Sequence, residues 1–92
     1  MPEFQIYQTQ QFEKDLKKIN SKDKELIISK LKNYIIPQLK SEPFFGQNIK
    51  KLRNYDPPTW RIRIGNYRIF YLINDELKEI DLLTIDHRKN AY

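Results

Sequence analysis

The spacing of apolar residues changes along the chain and divides it into a helical part and a strand part. Residues 3 to 8, "EFQIYQ", alternate with Phe4 and Ile6 on one parity, which predicts a first strand. Thr9 stands where it can cap a following helix. Phe12, Leu16 and Ile19 then recur at i, i+4 and i+7, an apolar stripe of roughly three turns. Asn20-Ser21 interrupts it, and Ser21 is the expected N-cap of a second helix in which Ile27, Leu31, Tyr34 and Ile35 share a face. Pro37 has no backbone N–H, so that helix is expected to end or kink near Ile36.

After Pro43 the helical period is gone. "PFFGQ" reads as a loop, and the basic stretch "NIKKLRNYDPP" ends in a double proline. Three strand-like runs follow, over residues 59 to 64, 67 to 73 and 78 to 86. The last has apolar residues on both parities (Ile80 and Leu82, Leu83 and Ile85), as expected of a central strand covered on both sides. The order β-α-α-β-β-β predicts an α+β two-layer domain over residues 1–92. Its sheet would be mainly antiparallel, with an αα-hairpin packed on one face.

Gly65-Asn66 is a two-residue hairpin pair, and it fixes a register. Ile64 faces Tyr67, Arg63 faces Arg68, Ile62 faces Ile69 and Arg61 faces Phe70. Side chains alternate across a strand, so Trp60, Ile62, Ile64, Tyr67, Ile69 and Tyr71 share an apolar face. Arg61, Arg63, Arg68, Phe70 and Leu72 share the other. Like charges directly opposite each other are destabilising. Arginine cannot shed its proton, whereas its fork matches phosphate oxygens in pairs. The grouping therefore predicts a site for an anion. The alternatives are neutralisation by nearby acids, or long stems that merely cover apolar surface.

Charge sharpens this picture. Of the 92 residues 32% are charged, and the formal net charge is +5. Residues 49 to 74 hold Lys50, Lys51, Arg53, Arg61, Arg63 and Arg68 against Asp56 alone, so the excess sits there. In the helical part lysines alternate with acids, as on an ordinary solvated surface. A basic balance favours polyanionic partners: nucleic acid, an acidic protein segment or the ribosome. With no cysteine and one histidine, a disulfide scaffold and a zinc site are excluded. No apolar run nears the ~18 residues that span a bilayer. The N-terminus lacks the pattern of a signal peptide, so a cytoplasmic protein without a membrane partner is expected.

No phosphate-binding glycine loop or serine nucleophile motif is present. What the sequence offers is a set of cations with His87, Arg88 and Tyr92 in the terminal "HRKNAY". That inventory suits RNA cleavage by the RNA's own 2′-hydroxyl, because the substrate supplies the nucleophile. The protein then aligns the groups and stabilises charge. His87, whose reference pKa is about 6.5, is the candidate for proton transfer, and Tyr92 for stacking on an unpaired base. No cofactor is expected.

The stretches "PFFGQNIKKL", "WRIRIGNYRIFY" and "HRKNAY" together resemble the RelE toxins of the RelE/ParE superfamily of toxin–antitoxin systems. The resemblance implies a ribosome-dependent mRNA endonuclease that acts in the A site and inhibits translation. Its implied partners are a cognate antitoxin, bound as a hetero-oligomer, and mRNA on the ribosome. It places Arg61 and Arg63 at the family's paired basic positions near the scissile phosphate and Arg68 at its phosphate-binding arginine. Arg88 and Tyr92 fall at the terminal arginine and base-stacking tyrosine. Lys50, Lys51 and Arg53 extend the RNA-binding surface. Some members carry lysines where this chain has Arg61 and Arg63, which shifts proton transfer toward His87. Asp86 stands where many members have glycine, and would either orient His87 or weaken the anion site. The same resemblance leaves open a ParE-like inhibitor of DNA gyrase and a non-catalytic antitoxin-binding relative.

Overall fold

A computed structural model describes residues 3–87. Strand β1 (Gln5–Gln8) leads into helix α1 (Gln10–Lys18), helix α2 (Ser21–Lys30), a π-helical turn (Leu31–Ile35) and helix α3 (Ile36–Ser41). Strands β2 (Ile49–Lys51), β3 (Trp60–Ile64), β4 (Tyr67–Asn74) and β5 (Glu79–His87) follow. They form one five-stranded sheet in the order β1-β5-β4-β3-β2, with β1 parallel to β5 and the other pairs antiparallel. The fold is the expected α+β one. The helices lie on one face, where Phe12, Ile27, Leu31, Ile35 and Leu39 pack with Ile62, Ile64, Ile69, Tyr71, Ile80, Leu82 and Ile85 in a single core.

The helix starts follow capping chemistry. Thr9 Oγ1 accepts from Phe12 N at 3.1 Å and caps α1 as expected. The cap of α2 is Asn20 rather than Ser21: its Oδ1 accepts from Asp23 N at 2.9 Å, and Ser21 becomes the first helical residue. Pro37 does not end the helical run. Ile36 N–H donates to the Leu31 carbonyl five residues back, and this wider turn lets the chain continue as α3 with Pro37 in its first turn. The basic stretch before the double proline holds the short strand β2, which pairs Ile49 with Ile62, Lys50 with Arg61 and Lys51 with Trp60.

The β3–β4 pairs occur as the turn predicts, from Ile64 with Tyr67 to Trp60 with Tyr71. Gly65 has φ +54° and Asn66 is not at positive φ, as in a type II′ turn. The double apolar parity of β5 has a different cause from the expected one. The register shifts between Phe70, which pairs with Thr84, and Tyr71, which pairs with Leu82. Leu83 is therefore an extra residue, a β-bulge. The bulge swaps parity, so Ile80, Leu82, Ile85 and His87 all point toward the helices, and β5 is covered on that face rather than on both. Helix α1 satisfies the backbone around the bulge. Thr9 Oγ1 lies 2.9 Å from the Leu82 carbonyl and 3.0 Å from that of Leu83, and Asp15 Oδ2 accepts from Ile85 N at 3.1 Å.

Two tyrosines tie the sheet to the rest of the chain. The Tyr71 hydroxyl is fully buried and donates to the Pro43 carbonyl at 2.7 Å; burial pushes its pKa upward. The Tyr67 hydroxyl donates to Asp23 Oδ2 at 2.8 Å. That bond, followed by one from Asn20, holds the Asp23 carboxyl below its ordinary 3.8, with a smaller contribution from the charge of His87. The rings of Tyr67 and His87 meet edge-on with centroids 4.8 Å apart.

Replacing Tyr71 with Phe strands the buried Pro43 carbonyl. Urea denaturation should show a loss of about 1–3 kcal/mol with an unchanged m-value. A lowered Asp23 pKa means that its stabilising effect is complete above the ordinary value and is lost as pH falls below about 4. The urea midpoint of the native chain should fall through that window, and Tyr67→Phe should flatten the fall. Equal slopes would show that the bond does not act on stability.

Candidate anion-binding face

The face turned away from the helices carries the cations. Residues paired across neighbouring strands point to the same side. One cross-sheet row is therefore Lys50, Arg61, Phe70 and Thr84, from β2 to β5. The next, nearer the hairpin turn, is Arg63, Arg68 and Asp86. Arg63 and Arg68 form the second pair from a two-residue turn, the position without mutual hydrogen bonds where side chains approach most closely. Consistent with this, Arg63 N–H is directed away from β4, donating to the carbonyl of Asn48, the residue before β2, at 3.0 Å.

The guanidiniums are partly sunk into the surface. Arg63 is exposed, whereas Arg61 and Arg68 are half-buried, with Arg61 Nε and Arg68 Nε and Nη2 shielded from solvent. Arg68 Cζ lies 5.8 Å from the centre of the Phe70 ring. Arg68 thus sits between a like charge on β3, an aromatic ring on its own strand and a carboxylate on β5. Asp86, paired with Arg68 across β4 and β5, is an acid on this face that the local composition of residues 49–74 did not reveal. Only the β4–β5 pairing brings it to this face.

Beside the arginines the same face holds a cleft of about 480 Å³. Its walls are Tyr55, Asp56, Pro57 and Thr59 from the β2–β3 connection and Phe70, Leu72, Leu83, Thr84 and Asp86 from the sheet. Tyr55 is 56% exposed despite its size. The sequence reading did not single out this cleft. Phe70 and Leu72 were visible on the arginine face, but the bulge that adds Leu83 and the loop that folds over them were not.

The remaining expected site residues separate. Lys51 pairs with Trp60 on the opposite face, its Nζ 5.7 Å from that ring. Arg53 is exposed on the β2–β3 connection. His87 does not join the arginines: it stands on the helix side in the group with Tyr67 and Asp23, because the bulge sets its parity. Asp86, its neighbour, faces the other way and so does not orient it within the arginine face. Arg88 and Tyr92 lie outside the described residues. Among the described residues no group of side chains is arranged to hold a metal ion, and no helix is long and apolar enough to cross a membrane.

Solved structures share this architecture. The chain superposes on a toxin–antitoxin complex component, RelBE2 of Mycobacterium tuberculosis, with TM-score 0.71 and 27% identity, covering 96% of this chain and 100% of that one. The RelB–RelE complex of Methanococcus jannaschii gives TM-score 0.70 and 30% identity, with 92% and 93% covered. The isolated RelE toxin of E. coli gives 0.66 and 22%, with 91% and 83% covered, a likeness of fold. No curated protein is significantly similar in sequence. Residues 6–92 match the family model described as the ParE toxin of the type II toxin–antitoxin system parDE. The chain therefore belongs to the ParE toxin family and, with it, to the RelE/ParE superfamily of type II toxins.

Proposed function

We propose that this toxin cleaves messenger RNA on the ribosome, with Arg61, Arg63 and Arg68 gripping the scissile phosphate. The observation that carries this reading is the arginine face itself, three guanidiniums and Lys50 in two adjacent rows on the open side of the sheet. Bidentate guanidinium–phosphate pairing relieves the repulsion that the hairpin register imposes. The 2′-oxygen bonds to phosphorus, losing its proton to water, as the P–O5′ bond breaks. This leaves a 2′,3′-cyclic phosphate and a 5′-oxygen that takes a proton from water. Negative charge grows on the non-bridging oxygens, where these guanidiniums are already fixed. Arg88 and Tyr92 join the reading through the family resemblance, as a further phosphate contact and a stacking platform. The proton-transfer role expected for His87 is not carried forward, because its side chain stands on the other side of the sheet. RelE toxins are found in complex with RelB antitoxins, and a cognate antitoxin of this chain would cover the arginine face and silence it.

A second reading has its own support: the matching family model is that of ParE toxins, and a ParE-like toxin would inhibit DNA gyrase. That activity needs a charged docking face but no cleavage of a phosphodiester by this chain.

Cell-free translation with primer extension separates the two. The purified chain should cut messages on translating ribosomes and leave naked RNA largely intact. Arg68→Ala should lower the cutting rate by about 10²-fold or more while preserving fold and antitoxin binding. Intact messages together with gyrase-dependent DNA breaks would establish the ParE activity instead.

A further inference from the structure

We infer that the cleft beside the arginines is a nucleobase pocket. It would take one unpaired base of the strand whose phosphate lies on Arg61, Arg63 and Arg68, and Asp86 would read that base's amino group. The inference rests on the arginine face being a phosphate site for single-stranded RNA.

The first support is position. Phe70 is shared: it lines the cleft and stands in the row with Arg61, and the Arg68 guanidinium lies 5.8 Å from its ring. A phosphate held over β3 and β4 leaves its sugar and base about one strand spacing, ~5 Å, away over β4 and β5, where the cleft opens. The second is lining. Tyr55, Pro57, Phe70, Leu72 and Leu83 make the walls largely apolar, and the volume of about 480 Å³ falls in the range of small-molecule sites. An exposed tyrosine opposite a half-buried phenylalanine offers faces for stacking, which all bases accept. The third is construction. The bulge at Leu83 puts two successive side chains, Leu83 and Thr84, on this face, where a regular strand would give one.

Charge chooses the occupant. The arginines border the cleft only beside Phe70, whereas its own lining carries two carboxylates, Asp56 and Asp86. The phosphate therefore stays over the arginines, and the group that enters the cleft is apolar with N–H donors; a nucleobase is such a group. An ionised carboxylate is acceptor-only, so Asp86, with Asp56 on the facing loop, selects N–H donors. Cytosine, adenine and guanine carry an exocyclic amino group. Uracil offers one ring N–H between two carbonyl oxygens, which a carboxylate repels.

The test uses the full chain with labelled oligonucleotides of about four nucleotides: all-cytidine, all-uridine and an abasic ribose-phosphate of equal length. All-cytidine should bind about tenfold more tightly than the abasic strand, and all-uridine in between. Tyr55→Ala and Leu83→Ala, on separate elements and checked for fold by circular dichroism, should each remove most of that gain and leave abasic binding unchanged. Asp86→Asn combined with Asp56→Asn should reduce the cytidine-over-uridine preference to within about twofold, and Asp86→Asn alone should strengthen abasic binding, because Arg68 loses the carboxylate paired with it across β4 and β5. Equal binding of base-containing and abasic strands would overturn the pocket. So would cleft variants that lose only antitoxin binding, which would give the cleft to the antitoxin. Binding here needs no ribosome. Base-dependent binding without message cleavage would count against the nuclease reading alone, and cleavage without base-dependent binding against the pocket alone.

Discussion

The pairing of β3 with β4 is the constraint on which the rest depends. Side chains alternate strictly, so the register that buries Ile62, Ile64 and Ile69 also forces Arg61, Arg63 and Arg68 onto the other face. A slip of one residue would drive the arginines into the core. Each buried isoleucine is worth about 1.5–3 kcal/mol, whereas a like-charge cross-strand pair costs less than roughly 1 kcal/mol. The core therefore wins, and the chain keeps a crowded cationic surface that it cannot relax by sliding. An incoming anion finds the charges already assembled, and little ordering remains to oppose binding.

The bulge at Leu83 divides the end of β5 between the two faces. It sends His87 to the helices and Asp86 to the arginines, and it adds Leu83 to the cleft. Helix α1 supports this irregular backbone through Thr9 and Asp15. The helical layer thus acts on the open face without touching it, by fixing which side chains of β5 reach it. The group of Asp23, Tyr67 and His87 is its counterpart on the inner side, joining the start of α2 to the first residue of β4 and the last of β5.

How much of this was legible in the sequence differs by element. The hairpin was readable pair by pair, because a two-residue turn leaves one register and both strands keep a clean period of two. The cap at Asn20 was missed by one residue, since Asn20 and Ser21 carry equivalent capping chemistry and only the path of the chain chooses between them. Pro37 promised a break that the π-helical turn absorbed, an accommodation with no signature in the apolar pattern. Strand β2 was hidden because three residues are too few for a period. The parity switch in "DLLTID" was visible, yet two covered faces and one bulge produce the same string. That ambiguity misplaced His87 and concealed the cleft, because both depend on which side of β5 each residue takes.

The face as built can hold and stabilise charge better than it can move a proton. Its arginines stay protonated at any working pH, and His87 is across the sheet. A toxin of this construction gains from a substrate that brings its own nucleophile and from surroundings that align it. Messenger RNA in the ribosomal A site supplies both: a 2′-hydroxyl next to the phosphate, and a strand held in one conformation. Free RNA supplies the hydroxyl but must still be ordered, an entropic cost that contacts to one phosphate and one base do little to offset. Under the proposed reading, dependence on the ribosome follows from the chemistry this face lacks.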